Sequence, residues 1–213
     1  MTGLPAKICE APSLGEIWGD ALQWIDPIGI GWLPVFGESL YGREYWDEYR
    51  KRDSTKMGTA LTASRLSLVR KFLANGADDM VDVGIGGGAF VSSAQCFGHD
   101  VNPYALEWLG DRQWDGRAVG AMTMWDVIEH LKEPRELLDH CRKLLFVSTP
   151  IYRDRAHVLQ SRHFKPREHL IYCTHEGFQF LMRGYGFEMI YHDTRESDLG
   201  RDGIGSYVFR RVV

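Results

Sequence analysis

The sequence predicts one α/β fold in which a mainly parallel sheet is covered by helices on both faces. Short apolar runs typical of buried strands alternate with segments whose apolar residues recur at helical spacing, as in parallel strands joined by crossover helices. The first predicted strand, residues 80–83, runs directly into a cluster of glycines. Such a cluster lies at the carboxyl edge of the sheet, where α/β folds bind their ligands.

Length, composition and charge agree with a single globular core. The 213 residues are 44% hydrophobic and 25% charged, and the formal net charge is −4. This acidic balance argues against nucleic acid as a partner. The N-terminus lacks the pattern of an export signal, and no apolar stretch reaches the roughly 18 residues of a membrane span. Four cysteines without C-x-x-C spacing predict free thiols, so a cytoplasmic location is expected.

Residues 1–40 are expected to form a packed extension, and residues 41–213 the main domain. Prolines alternate with large aromatic residues in the extension, which is too broken for long helices and too apolar for a free tail. The extension is expected either to cover the core at a subunit contact of a homo-oligomer or to form part of a substrate pocket.

Two helices are predicted before the first strand, because apolar residues recur at helical spacing over 44–52 and 60–75. Asn75 and Gly76 suit the end of the second helix. Tyr41, Tyr45 and Tyr49 are four residues apart and align on one helical face. This face is favoured as an aromatic core stripe, and the alternative is a cofactor-contacting stripe. Tyr45 is also a candidate substrate contact.

Strands and helices then alternate to the end of the chain. Strands are predicted at 80–83, 97–101, 119–124, 144–148, 187–192 and 204–210, and helices at 104–109, 134–143 and 175–183. Thr174 is the expected N-cap of the last helix, and Gly184 or Gly186 its end.

The glycine cluster follows the first strand as Asp82-Val83-Gly84-Ile85-Gly86-Gly87-Gly88. Glycine permits both a sharp turn and the close approach of a ligand to the backbone. Gly84, Gly86 and Ala89 also satisfy the dinucleotide pattern G-x-G-x-x-G/A, so the glycines alone leave the ligand open.

Two carboxylates narrow the choice of ligand. Asp82 precedes the first glycine, where its charge would repel a pyrophosphate but could fix the loop or meet an ammonium group. Asp100 ends the second predicted strand, where a carboxylate can accept both hydroxyls of a ribose. A nucleoside with a positive sulfonium and an amino-acid tail suits this layout better than NAD.

Three motifs together carry a family resemblance: D-x-G-x-G-x-G from Asp82, G-x-D-x-N-P at residues 98–103, and W-D-V-I-E-H-L at residues 125–131. In order and position they resemble the class I S-adenosylmethionine-dependent methyltransferases, above all the small-molecule branch with ubiquinone-type O-methyltransferases. The resemblance covers about residues 41–192. It implies a Rossmann-like sheet with an antiparallel last strand, S-adenosylmethionine as cofactor and S-adenosylhomocysteine as product.

The resemblance also implies roles for individual residues. The implied cofactor contacts are Asp82, Gly84, Gly86 and Gly88 at the methionine part, Asp100 at the ribose, Val101 and Asn102 at the adenosine, and Trp125 and Asp126 near the sulfonium. The chain departs from the family in two places. The helix after Gly88 is short, and no third strand is evident between Leu109 and Val119. The sequence therefore does not identify the residues of the adenine pocket.

The substrate side is expected to involve histidines. His130 is the candidate general base, with Asp126 beside the reacting groups, because histidine titrates near neutral pH. A loop-holding hydrogen bond is an equal alternative for His130. Residues 161–174 are expected to form a substrate-side lid that contains His163 and His169. The spacing of His163, His169 and His175 matches no common zinc pattern, so no metal site is predicted.

The sequence therefore predicts a methyltransferase that acts on a small or medium-sized metabolite, at an oxygen atom. Two alternatives remain open. One is an NAD-dependent oxidoreductase, which the glycine pattern permits. The other is a methyltransferase-like domain without activity that serves a structural or regulatory role.

Overall fold

A computed structural model describes residues 18–34, 41–73 and 79–212. Within these residues, the helices are α1 (Arg43–Asp53), α2 (Lys56–Phe72), α3 (Ala89–Ala94), α4 (Pro103–Leu109), α5 (Arg135–Leu138), α6 (Arg155–Gln160), α7 (His175–Gly184) and α8 (Arg195–Asp198). The strands are β1 (Gln23–Ile25), β2 (Ile30–Trp32), β3 (Met80–Val83), β4 (Phe97–His99), β5 (Val119–Trp125), β6 (Cys141–Tyr152), β7 (Ile171–Thr174), β8 (Phe187–Asp193) and β9 (Ile204–Arg211).

The central sheet has the order β4-β3-β5-β6-β9-β8. Strands β4, β3, β5 and β6 are parallel to one another, whereas β9 runs antiparallel to both β6 and β8. The predicted α/β class, the mainly parallel sheet and its antiparallel last strand are therefore confirmed.

Helices cover both faces of this sheet, because successive strand residues point to opposite sides. Met80 and Phe146 pack in one buried cluster with residues of α2, α3 and α4. Val81 and Leu145, each one position away, pack in a second cluster with residues of α5 and α7. The two clusters form the core and hold the carboxyl ends of β3, β4 and β5 at one edge.

A smaller sheet continues from the end of β6. Its last residues pair in parallel with β7, β7 pairs antiparallel with β2, and β2 forms a hairpin with β1. Leu22 and Leu33 pack there against Tyr152, Phe164 and Tyr172. Residues 18–34 of the expected extension are thus packed. Residues 1–17 and 35–40 lie outside the described residues, and the division into two domains stays a prediction.

Two predicted elements differ from the structure. The helix expected over 134–143 ends at Leu138, and β6 already begins at Cys141, which pairs with Val119. Pairing along a buried strand outweighs local helical spacing at these residues. The connection expected over 161–174 ends in β7, because Ile171 and Tyr172 pair with the β2 hairpin strand.

Several local signals are confirmed. The hydroxyl of Thr174 accepts a hydrogen bond from the Gly177 N–H at 3.0 Å, and α7 ends at Gly184. The expected short helix after Gly88 has six residues. Where a third strand was not evident, a single bridge joins Gly98 and Gln113.

Three other predicted features concern the cysteines, the end of α2 and the length of the apolar helices. Cys96, Cys141 and Cys173 are buried free thiols, whereas Cys9 lies outside the described residues. The helix end expected at Asn75 also lies outside them, and α2 ends at Phe72. In the described ranges, no helix is both long enough and apolar enough to span a membrane.

Candidate functional site

The glycine loop joins β3 to α3 at the carboxyl edge of the sheet. Gly84, Gly86 and Gly88 have φ angles of 71°, 55° and 87°, in the left-handed region that favours glycine. The Gly84 N–H donates to the His99 carbonyl at 2.7 Å, which ties the loop to the end of β4. The sequence folds this way because only glycine tolerates three such angles so close together.

Helix α1 lies directly over the glycine loop. The Asp53 Oδ2 atom accepts a hydrogen bond from the Ala89 N–H, the first residue of α3, at 3.0 Å. A Cβ atom on Gly87 would lie 2.6 Å from the Tyr49 carbonyl oxygen, so only glycine allows this approach. None of the α1 residues is fully buried. The helix therefore covers the loop without entering the core.

Three carboxylates frame the glycine loop. Burial raises the pKa of Asp82 to about 8, and the charges of Asp100 and Asp53 add to the effect, whereas a hydrogen bond from Thr123 at 2.5 Å opposes it. Burial also raises the pKa of Asp53 and of Asp100. Converging acidic groups of this kind favour a cation near the loop and disfavour an anion.

The end of β4 presents the residues expected at the nucleoside. The Asp100 carboxylate accepts from the Asn102 N–H at 2.8 Å, and Val101 is 68% exposed beside it. The Asn102 side chain is buried; its oxygen caps α4 at Tyr104 and its amide donates to the Gly42 carbonyl at 3.0 Å. Asn102 therefore positions the start of α1, and its side chain is already engaged.

A charge cluster lies beyond β5, which we term the arginine network: Arg65, Asp126, Glu196 and Arg201. Glu196 is buried and the other three residues are half-buried. Arg65 donates to Glu196 at 2.8 and 3.0 Å and to Asp126 at 3.0 Å. Arg201 contacts Asp126 at 2.8 Å and also bonds Glu196. Burial opposes ionisation of Asp126, but the two guanidinium groups prevail and hold its pKa near 2.

Trp125 and Asp126 join this network rather than the glycine loop. The Trp125 ring packs against Phe90 and beneath the Arg65 guanidinium. Asp126 has a φ angle of 59°, uncommon for a residue other than glycine, and its Oδ2 atom is held by both arginines. Their expected roles at the cofactor and in catalysis stay predictions.

A second buried cluster follows β5, which we term the His–Glu cluster: Glu129, His130 and His169. One ligand-capable atom from each side chain lies within 4.8 Å of the other two. The imidazoles of His130 and His169 meet edge to face at 4.7 Å. The His–Glu cluster adjoins the glycine loop, since Val127 lies against Gly84 at the start of the same turn.

Burial sets the charge state of the His–Glu cluster. It raises the pKa of Glu129 to about 8, and it lowers the pKa of His169 to about 2. The pKa of His130 is also lowered by burial, although its bond to the Glu168 carbonyl opposes this. The Nδ1 atom of His130 lies 2.9 Å from that carbonyl oxygen, which can only accept, so Nδ1 carries the hydrogen and Nε2 has a free lone pair.

The three tyrosines, which we term the tyrosine stack, contact one another along α1 and the residues before it. The Tyr45 ring stacks on Tyr49 at 4.6 Å and meets Tyr41 edge to face at 5.2 Å. Burial raises the pKa of Tyr41, and the charges of both Asp100 and Glu129 contribute. All three tyrosines are half-buried, which is less than the favoured core stripe implies. The substrate role of Tyr45 stays a prediction.

The remaining predicted histidines have separate partners. The Nε2 atom of His163 lies 2.8 Å from the Asp202 carbonyl, and His175 Nδ1 lies 2.9 Å from the Tyr207 hydroxyl. Only His169 of the three considered for a metal belongs to a cluster with metal-ligating geometry among the described residues. The lid role of 161–174 and the substrate roles of His163 and His169 stay predictions.

Sequence reasoning missed most of the buried charges. Arg65, Glu196 and Arg201 lie far apart in the chain and belong to no motif. Glu129 was visible within W-D-V-I-E-H-L, but its proximity to His169 is a product of the fold. The signal that could have found it is a carboxylate and a histidine adjacent at the end of a buried strand.

Comparison with known proteins identifies the fold. No protein-family model matches the sequence, and no curated protein matches it either. A chain of the Haloferax volcanii complex that contains the Trm112 methyltransferase activator is 14% identical, with a TM-score of 0.58, over 80% of this chain and 97% of that one.

Two further structures are similar. A methyltransferase from Aquifex aeolicus that depends on S-adenosylmethionine is 12% identical, with a TM-score of 0.55, over 78% of this chain and 98% of that one. Magnesium protoporphyrin IX methyltransferase from Synechocystis, with bound S-adenosylhomocysteine, is 13% identical, with a TM-score of 0.53, over 79% and 95%. The chain therefore has the fold of the class I S-adenosylmethionine-dependent methyltransferases.

Proposed function

We infer that the protein is an S-adenosylmethionine-dependent methyltransferase that acts on a small or medium-sized metabolite. The observation that carries this inference is the acidic frame of the glycine loop, formed by Asp53, Asp82 and Asp100. S-adenosylmethionine bears a sulfonium and an ammonium group, whose positive charge complements the acidic groups of Asp53 and Asp100. The acid of Asp82, whose pKa of about 8 keeps it protonated near neutral pH, can ionise when a cation approaches it. A solved methyltransferase with this fold, that of magnesium protoporphyrin IX, has S-adenosylhomocysteine bound, the product of S-adenosylmethionine after methyl transfer.

The same frame argues against NAD. A pyrophosphate bound at a glycine loop needs free backbone N–H groups at the start of the following helix. Here the Ala89 N–H already donates to the Asp53 carboxylate, and α3 has only six residues. A pyrophosphate at this position would also face Asp82. These contacts favour the methyltransferase over the oxidoreductase.

The residues present fit an adenosyl group. The glycine loop offers close backbone approach, and the half-buried Asp100 carboxylate stands at the end of the adjacent strand, suited to ribose hydroxyls. The exposed Val101 side chain offers an apolar surface for a flat base. When bound, S-adenosylmethionine supplies a methyl group activated by a sulfonium. The main task of the chain is to align the acceptor with that methyl group.

We propose an oxygen acceptor, with His130 as its general base. The Nε2 lone pair of His130 suits the uptake of a proton from a hydroxyl group. The charges of both Asp100 and Glu129 act on Tyr41, and Tyr45, whose ring contacts that of Tyr41, would contact the substrate. His163 and His169 would border the substrate from the 161–174 segment.

Calorimetric titration with S-adenosylhomocysteine and with NAD tests the cofactor. We expect the wild-type protein to bind S-adenosylhomocysteine and not NAD. Gly86→Ala should weaken binding by at least about tenfold, since a Cβ there meets Tyr49 at 3.2 Å in a strained backbone. Gly116→Ala is the control, because Gly116 also has positive φ, at 82°, but a Cβ there meets nothing within 4 Å.

Binding of NAD alone would overturn the proposal. Binding of S-adenosylhomocysteine without methyl transfer to any compound of a metabolite panel would favour the inactive, regulatory alternative. Transfer of label from S-adenosylmethionine to a metabolite, and identification of the labelled atom, would test the oxygen assignment directly.

A further inference from the structure

The His–Glu cluster contains buried polar atoms that form no hydrogen bond among the described residues. Glu129 is 2% exposed and His169 is 4% exposed. Among the described residues, the Glu129 Oε1 atom and the His169 Nδ1 atom have no hydrogen-bond partner. A buried polar atom without a partner costs free energy, and an ion or a ligand that binds it offsets this cost.

We propose that Glu129, His130 and His169 bind a divalent first-row transition metal ion. Their ligand atoms lie within 4.8 Å of one another, so an ion with bonds of about 2.1 Å would draw them together by roughly 1 Å. The set of two imidazoles and one carboxylate is one that such ions use.

Contacts around the cluster orient its ligands toward a shared ion. The Glu168 carbonyl fixes Nδ1 of His130 as a donor, which leaves Nε2 for the metal. The Thr149 hydroxyl donates to Oε2 of Glu129 at 3.1 Å. The Glu129 carbonyl accepts from the Leu170 N–H at 2.7 Å, which holds the turn of Glu129 and His130 beside His169.

The ligand set selects the class of ion. Mg²⁺ and Ca²⁺ prefer ligands that are all oxygen, whereas imidazole suits Zn²⁺, Fe²⁺ and similar ions. Three protein ligands also leave a coordination position open, as in catalytic sites. His130 is half-buried, so an outside ligand can approach from its side.

The metal site does not rest on the proposed methyl transfer. If both hold, the ion would bind the acceptor oxygen and lower the pKa of its hydroxyl group. His130 would then act as a metal ligand and not as the general base.

Metal titration of the full chain, stripped with a chelator and free of S-adenosylmethionine, tests the site. We expect calorimetry with Zn²⁺ to show one ion per chain, and Co²⁺ to give a visible ligand-field absorption band. Glu129→Gln and His130→Gln should each weaken Zn²⁺ binding by at least about tenfold. His157→Gln is the matched control, because His157 lies on α6 and contacts Tyr152 and Arg153 instead.

Three results would each contradict the proposed metal site. Absence of a stoichiometric Zn²⁺ site in a folded wild-type protein, checked by circular dichroism, would overturn the proposal. So would equal Zn²⁺ affinity in the wild-type protein and both ligand variants, or binding of Mg²⁺ in preference to Zn²⁺. Because no cofactor is present, failure here leaves the S-adenosylhomocysteine titration unaffected, and the reverse also holds.

Discussion

The arginine network and the His–Glu cluster flank the same end of β5, yet they treat buried charge in opposite ways. In the arginine network, Asp126 and Glu196 each contact both guanidinium groups. In the His–Glu cluster, the carboxylate meets a hydroxyl and two imidazoles, and two ligand-capable atoms have no partner among the described residues. The first arrangement pairs its charges with one another, whereas the second contains unpartnered atoms that could bind a ligand.

The difference follows from the cost of burial. A buried charge loses its hydration, and the loss is offset only where opposite charges and hydrogen bonds replace water. The arginine network meets that condition for every carboxylate oxygen except Asp126 Oδ1, which has no hydrogen-bond partner among the described residues. It joins α2, β5 and α8 across the sheet edge. Breaking it should therefore destabilise the protein, while removing the acid of Glu129, which contacts no cationic side chain, should not.

The largest effect is expected for Arg65→Met. The variant leaves Asp126 and Glu196 with Arg201 alone, so the free energy of unfolding should fall by about 3 kcal/mol. Denaturation with urea measures this change. Arg142→Met is the control, because Arg142 pairs with Asp79 in solvent at 3.0 Å and should cost less than about 1 kcal/mol. Equal losses in the two variants would contradict the structural role of the network.

The environment of Asp82 is intermediate between those of the arginine network and the His–Glu cluster. Its carboxyl group has the Thr123 hydroxyl as a hydrogen-bond partner but no arginine. Burial raises its pKa from 3.8 to about 8, so between these values the folded protein keeps a proton that the unfolded chain has lost. Stability contributed by this group therefore falls as pH rises through that window. Asp82→Asn cannot titrate and should lack this decline.

Urea denaturation at about pH 5.5 and about pH 8.5 measures the Asp82 effect. The decline in the wild-type protein should exceed that in Asp82→Asn by on the order of 2 kcal/mol. Asp47→Asn, at an exposed position of α1, should keep the wild-type decline. A decline as steep in Asp82→Asn as in the wild-type protein would show that Asp82 is ionised in the fold.

A smaller effect of opposite sign is expected for Glu129→Gln in metal-free protein. Glutamine keeps the shape of the side chain and can still accept from Thr149, but removes the buried acid. The free energy of unfolding, measured above the Glu129 pKa of about 8, should rise by about 1 kcal/mol. Glu188→Gln, in an exposed pair with Arg210, should change it by less than about 0.5 kcal/mol. A loss as large as that of Arg65→Met would show that Glu129 supports the fold.

Features that depend on neighbouring residues could be predicted from the amino-acid sequence alone. The three positive φ angles of the glycine loop need glycine, so the cluster of glycines was enough to predict the loop. The Thr174 cap and the alternation of strands and helices also depend only on residues that are close in sequence. The alternation predicted the fold class and the sheet edge that carries Asp82 and Asp100.

Tertiary packing decided which distant side chains share a buried site. His169 meets Glu129 because a strand beyond the central sheet returns the chain to the end of β5. Asp53 reaches Ala89 because α1 folds back over the glycine loop. The boundary at Cys141 was likewise decided by pairing with Val119. Each of these contacts depends on packing between segments that are far apart in sequence. The spacing of residues along the chain does not indicate which distant segments pack together.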